Sequence, residues 1–195
     1  MRSSGSVVPS VCWFLILCIC YLWPSLPASA DAAHEEHLDV KTDPAGGVIA
    51  TAWLVFPARP DLIQSLLTDY AHWPDLFEVR MRVVDLQIAR GVVTTDLRID
   101  HALLPGERRL VTESRVISGA IHTDLVAGDF KRYHRVWRLA PTNEGRETRA
   151  DFELTVAIDS ILPDWLVALA MRRELEAHFR IVKEKARALA ASSEK

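Results

Sequence analysis

The stretch Pro163–Leu189, PDWLVALAMRRELEAHFRIVKEKARAL, decides the fold. Ala168, Met171, Leu175, Phe179, Val182, Ala186 and Leu189 recur at steps of three and four, which lines them along one face of a long helix. Arg173, Glu176, Lys183, Glu184 and Arg187 fall largely elsewhere. Such a stripe is stable only when buried. The chain ahead of it alternates between apolar and polar residues, so the partner it offers is an antiparallel sheet with one dry face. Space left between helix and sheet is the place to look for function.

Alternation runs through most of the region before the helix. Val93, Leu97 and Ile99 alternate with Thr94, Asp96, Arg98 and Asp100, and Phe152, Leu154, Val156 and Ile158 with Asp151, Glu153 and Thr155. Turn signals at Arg90-Gly91, Pro105-Gly106, Ser118-Gly119, Gly128 and Asn143–Gly145 separate these runs into a meander. Upstream, Leu38–Thr42 and Val48–Phe56 flank DPAGG, a first hairpin or bent strand. Between Arg59 and Tyr70 the period changes to that of a short helix, with Pro60 in its first turn and Leu62, Leu66 and Leu67 on one side. A second turn, HWPDLF, follows. The expected class is α+β: a curved antiparallel sheet wrapped around a long C-terminal helix, with two short helices after the first strand or hairpin.

The N-terminus reads differently. Arg2, the apolar run VCWFLILCICYLW from Val11 to Trp23, and Ala28-Ser29-Ala30 are the marks of a secretory signal peptide cleaved after Ala30. Thirteen clean apolar residues fall short of the roughly 20 that span a bilayer. The domains expected are therefore the signal peptide 1–30, a flexible polar stretch 31–37, and one ligand-binding domain 38–191. All three cysteines, Cys12, Cys18 and Cys20, lie in the signal, so the mature chain has no thiol nucleophile and nothing to mispair in an oxidising compartment. Export across an inner membrane to the periplasm is the expected localisation. Loss of Arg2 leaves 22 of the 23 basic residues against 26 acidic ones, and with no basic surplus nucleic acid is not an expected partner.

Few motifs carry chemistry. G-x-S-x-G, H-E-x-x-H, a phosphate loop and a paired C-x-x-C are all absent from the sequence. His34 and His37 lack the further ligands of a closed metal site and read as a solvated tail. No cofactor or metal is expected. Continuing the Val93, Leu97, Ile99 phase turns Thr95 and His101 inward, and the phase of Tyr133, Trp137 and Leu139 does the same for Arg135. An inward guanidinium needs a carboxylate, a carbonyl cluster or the polar head of a ligand. His122 and His134 take the opposite, convex phase. His101 is either a general base or a hydrogen-bonded strand end. Glu174 and His178 read as an exposed i,i+4 pair.

Three phrases carry a resemblance: FPARPDLIQSLLTDYAHWPDLF at the small helices, GDFKRYHRVWRLAP at Gly128–Pro141, and ADFELTV leading into LPDWL and the last helix. From about Val48 to Leu189 the chain resembles the START-like (SRPBCC, helix-grip) superfamily. That superfamily includes polyketide cyclases, plant Bet v 1-type proteins and coenzyme Q-binding START-domain proteins. The pattern is most similar to the coenzyme Q-binding and polyketide cyclase/dehydrase members. The resemblance implies a cavity between sheet and helix that takes an apolar or amphipathic small molecule such as a lipid or quinone. It places Tyr70, Trp73 and Phe77 near the cavity mouth, where they pack the small helices, touch ligand or make a transient membrane contact. Trp165 and Met171 at the start of the last helix either pack the core or border the cavity, while Phe179–Leu189 are expected to seal the core. The leading expectation is thus a non-enzymatic exported carrier. The alternatives are a cyclase/dehydratase-like enzyme using Arg135 or His101, and a protein-interaction domain with a filled cavity.

Overall fold

The computed structural model describes residues 36–193. The expected signal peptide, its cleavage site and residues 31–35 lie outside the described residues. Strands β1 (His37–Thr42) and β2 (Val48–Phe56) open the fold, followed by helix α1 (Pro60–Thr68) and a 3-10 segment, Tyr70–Leu76. Next come β3 (Arg80–Ala89), β4 (Val92–Asp100), β5 (Arg108–Ile117), β6 (Ala120–Gly128), β7 (Phe130–Thr142) and β8 (Glu147–Ile158). Helix α2 (Asp164–Ser193) closes the chain. The eight strands form one antiparallel sheet in the order β1-β2-β8-β7-β6-β5-β4-β3. A meander gives this order once β2 pairs with β8, which brings the first hairpin beside the last strand. The result is the expected α+β helix-grip architecture.

DPAGG closes a true hairpin, with Thr42 opposite Val48. Asp43 Oδ1 accepts the Ala45 amide at 2.9 Å, and Gly46 and Gly47 both take positive φ. At Gly47 a Cβ would lie 2.4 Å from the Val156 carbonyl oxygen, so only glycine lets the turn lie on β8. The same turn is tied to α2, because Asp164 Oδ2 accepts the Gly47 amide at 3.2 Å. β1 starts at His37, one residue before the expected domain boundary. Glu36 bonds the Val55 amide and pairs with Lys183 of α2.

Alternation places the sheet's inner face correctly. Phe152, Leu154 and Val156 of β8 are buried opposite Ala52, Ala50 and Val48 of β2, and the small alanines admit α2 across this part of the sheet. Bulges occur between Val83 and Asp85, Val111 and Thr112, and Phe130 and Arg132. None falls within Val92–Ile99 or Tyr133–Leu139, so the facings read from those segments survive. On α1 the fully buried pair is Ile63 and Leu67, with Leu62 and Leu66 only half-buried at the core edge. The α2 stripe is buried through Ala186, but Leu189 is exposed, because the helix runs past the sheet there.

Candidate functional site

α2 meets the sheet in two different ways along its length. Toward its C-terminal half the space is full. Trp137, 1% exposed, packs against Phe152 at 4.6 Å between ring centroids and against Phe179 at 5.7 Å. Toward the start of α2 a cavity of about 180 Å³ remains. The helix lines it with Val167, Ala170, Met171, Glu174, Leu175 and His178, an unbroken series at steps of one, three and four. Leu97 and Ile99 of β4, Tyr133 and Arg135 of β7, and Phe152, Leu154 and Val156 of β8 face them. Half-buried Met81, Leu104 and Leu162 mark the open end, while buried Trp73, Leu110 and His178 mark the inner end.

Seven of the residues expected at the site line this cavity: Trp73, Phe77, Leu97, His101, Tyr133, Arg135 and Met171. Four do not. Trp137 faces inward but belongs to the filled half. Thr95 is fully buried in a hydroxyl pair with Thr112 at 2.8 Å. Tyr70 packs on Trp73 at 4.8 Å, behind the cavity wall. Burial raises the Tyr70 pKa, the Ser114 hydroxyl and the Arg135 charge opposing it. Trp165 is 64% exposed. At about 100° per residue it projects roughly 200° around α2 from Val167, on the solvent side.

Glu174 and His178 correct the exposed-pair expectation. Both point into the cavity, and His178 is only 2% exposed. Its ring stacks on Phe77, 4.2 Å away and 5° from parallel. Nδ1 lies 2.8 Å from the Leu76 carbonyl oxygen, which can only accept, so Nδ1 carries the hydrogen. Burial pushes the His178 pKa down to about 4; the Leu76 bond opposes this and the Arg135 charge adds to it. The ring is therefore neutral at pH 7, and its Nε2 lone pair is buried with no partner. The sequence held a signal for both residues: Glu174 is three beyond Met171, and His178 three beyond Leu175, within the buried arc.

Arg135 is 5% exposed, and no carboxylate among the described residues pairs with it. Its guanidinium carbon sits 4.2 Å above the Trp73 ring, and Nη2 donates to Thr123 Oγ1 at 3.4 Å. Nε is buried without a partner. Thr123 shares a hydrogen bond with Ser114 at 2.9 Å, so buried hydroxyls from β5 and β6 hold the arginine from behind. At the end of β4, His101 Nδ1 accepts the Leu103 amide at 3.1 Å. That leaves Nε2 as the donor of the neutral ring, and it faces Glu174 Oε1 at 3.5 Å. Glu174 Oε2 is buried and unpaired. Among the described residues, no group of three or more His, Cys, Asp or Glu is arranged to hold a metal ion.

A family model described as polyketide cyclase / dehydrase and lipid transport matches residues 56–178. A comparison with curated proteins found no match. Solved structures with the same fold include a START superfamily protein from Mycobacterium smegmatis, 18% identical, covering 72% of this chain and 98% of that one at a TM-score of 0.59. A STAR-related lipid transfer protein fragment from Xanthomonas axonopodis is 12% identical, covering 81% and 97% at 0.64. An aromatase/cyclase from Streptomyces sp. R1128 is 14% identical, covering 71% and 93% at 0.57. With a model spanning the region from the end of β2 to His178, the chain belongs to the polyketide cyclase / dehydrase and lipid transport family, and its sheet and helix have the START-like fold.

Proposed function

We propose that the protein is an exported carrier that holds a small apolar or amphipathic molecule in this cavity, with the polar end at Arg135. The observation that carries the reading is a buried guanidinium, paired with no carboxylate among the described residues, in a cavity that is otherwise largely apolar. A charge taken out of water needs polar partners to replace its hydration. Trp73 and Thr123 replace part of it, and a ligand oxygen supplies more. A volume of about 180 Å³ compares with the ~150 Å³ engineered cavity that takes up benzene. A one- or two-ring molecule, or the end of a longer chain, fits that space.

Extraction of protein purified from its native envelope, followed by mass spectrometry, identifies the cargo. A folded Arg135→Leu protein is expected to bind the recovered molecule about 10- to 100-fold more weakly, the cost of losing a charge-assisted hydrogen bond. Unchanged affinity would sink the assignment of Arg135. Export rests on the reading of residues 1–30, and N-terminal sequencing of the exported form is expected to begin at Asp31.

A second reading, an enzyme of the cyclase/dehydratase kind, is favoured by one contact, the His101–Glu174 approach at the cavity wall. Here the pair would act on a bound carbonyl compound, with the unpaired Glu174 Oε2 as the base and His101 Nε2–H holding the carboxylate in place. The carrier reading expects the cargo to be recovered chemically unchanged after incubation with excess protein. Conversion that is lost in His101→Ala would favour the enzyme.

Loading an apolar cargo calls for contact with a bilayer. Ile161 is 95% exposed, beside the cavity-lining Leu162, and the cavity-lining Leu103 is also exposed. Together they give the mouth an apolar lip suited to burial at the headgroup–acyl boundary of a bilayer. Ile161→Ser is expected to weaken association with phospholipid vesicles roughly tenfold, measured by co-sedimentation. Equal binding by the variant would remove this lip from the carrier reading.

A further inference from the structure

Three buried polar atoms without partners lie on residues of this one cavity, and they are not alike. Arg135 Nε is a donor, while His178 Nε2 and Glu174 Oε2 offer lone pairs. The tautomer of His178 is fixed by the Leu76 carbonyl, so Nε2 cannot switch to donating. We propose that the inner end of the cavity is a subsite for a hydroxyl group, whose O–H donates to His178 Nε2 and whose oxygen accepts from Arg135. This rests on the carrier reading above and narrows its cargo to hydroxyl-bearing molecules, such as phenols or enols.

The chemistry excludes the commonest alternatives. A ketone, quinone, ester or ether presents only acceptors, which satisfy Arg135 and leave His178 Nε2 facing another lone pair. A carboxylate does the same with more charge. An ammonium would satisfy His178 but meet the Arg135 guanidinium, whose charge is felt at the imidazole. A hydroxyl is the smallest group that both donates and accepts. Leaving a buried acceptor unpaired carries a penalty that a methyl ether incurs and an alcohol avoids.

The test uses three probes of one shape: naphthalene, 1-naphthol and 1-methoxynaphthalene, titrated by calorimetry into the purified protein. 1-Naphthol is expected to bind about 10- to 100-fold more tightly than its methyl ether. In His178→Phe, which keeps a ring against Phe77, that preference is expected to collapse while naphthalene binding remains. Should the variant not fold, the wild-type protein still decides by nitrogen NMR. The His178 Nε2 resonance is expected to move with 1-naphthol and to stay in place with the ether. Equal affinities for alcohol and ether, with naphthalene also bound, would overturn the hydroxyl subsite and leave the carrier reading standing. No binding of any of the three would overturn both.

Discussion

Replacing Trp137 by alanine is expected to destabilise the protein by about 3–5 kcal/mol, measured as a fall in the denaturant midpoint. The side chain is 1% exposed and wedged between Phe152, Phe179 and Phe56. Its removal opens a hole that α2, pinned to the β1–β2 turn through Asp164, cannot collapse to fill. The indole N–H makes no hydrogen bond. Trp137→Phe therefore keeps most of the ring contacts and removes an unpaired buried donor, and is expected to cost about 1–2 kcal/mol. A loss for Trp137→Ala below about 1 kcal/mol would show that this half of the fold is not the packed core.

Acidification is the second large effect. Burial holds His178 neutral in the folded protein down to about pH 4, whereas in the unfolded chain it protonates near 6.5. The unfolded state therefore takes up a proton between these values that the native state does not. Stability falls as pH drops from about 6.5 to 4, by about 3 kcal/mol, and this contribution levels off below. The exposed His72 works in the opposite sense: its pKa is raised by the Asp69 hydrogen bond, which adds stability as the ring protonates. Asp43 and Asp96 have pKa values lowered, chiefly by hydrogen bonds to the Ala45 amide and Arg109, and their losses come at lower pH. Urea melts of wild type and His178→Phe at pH 7.5, 5.5 and 4.5 isolate the effect. The variant is expected to show the flatter profile, and parallel profiles would mean that His178 is accessible to protons.

The burial that makes His178 a liability at low pH also leaves its Nε2 neutral and available to a ligand. The unpaired Nε of Arg135 shows the same coupling, since a polar atom the protein itself leaves unsatisfied in the cavity is one that a suitable cargo can satisfy. These residues would be weakly stabilising, or destabilising, in a domain built only to fold.

Much of the fold was legible in the sequence because it depends on periodicity. Steps of three and four placed Ala168, Leu175, Phe179, Val182 and Ala186 on the buried face of α2. Period-two alternation turned Leu97, Tyr133, Arg135 and Trp137 inward, with no bulge in those segments to reverse it. Gly46 and Gly47 announced the first turn. Alternation, however, gives a face and says nothing of position along it. Tyr133 and Trp137 share one phase of β7, yet four residues at about 3.3 Å each put them some 13 Å apart. That distance separates the open cavity from the filled core. Likewise the helical period did not say how wide an arc the sheet would cover, so Glu174 and His178 read as a solvent-facing pair. Only the tertiary structure decided these points, because whether an inward side chain meets a cavity, a neighbour or water depends on what the opposite layer places there, and that layer comes from strands distant in the chain.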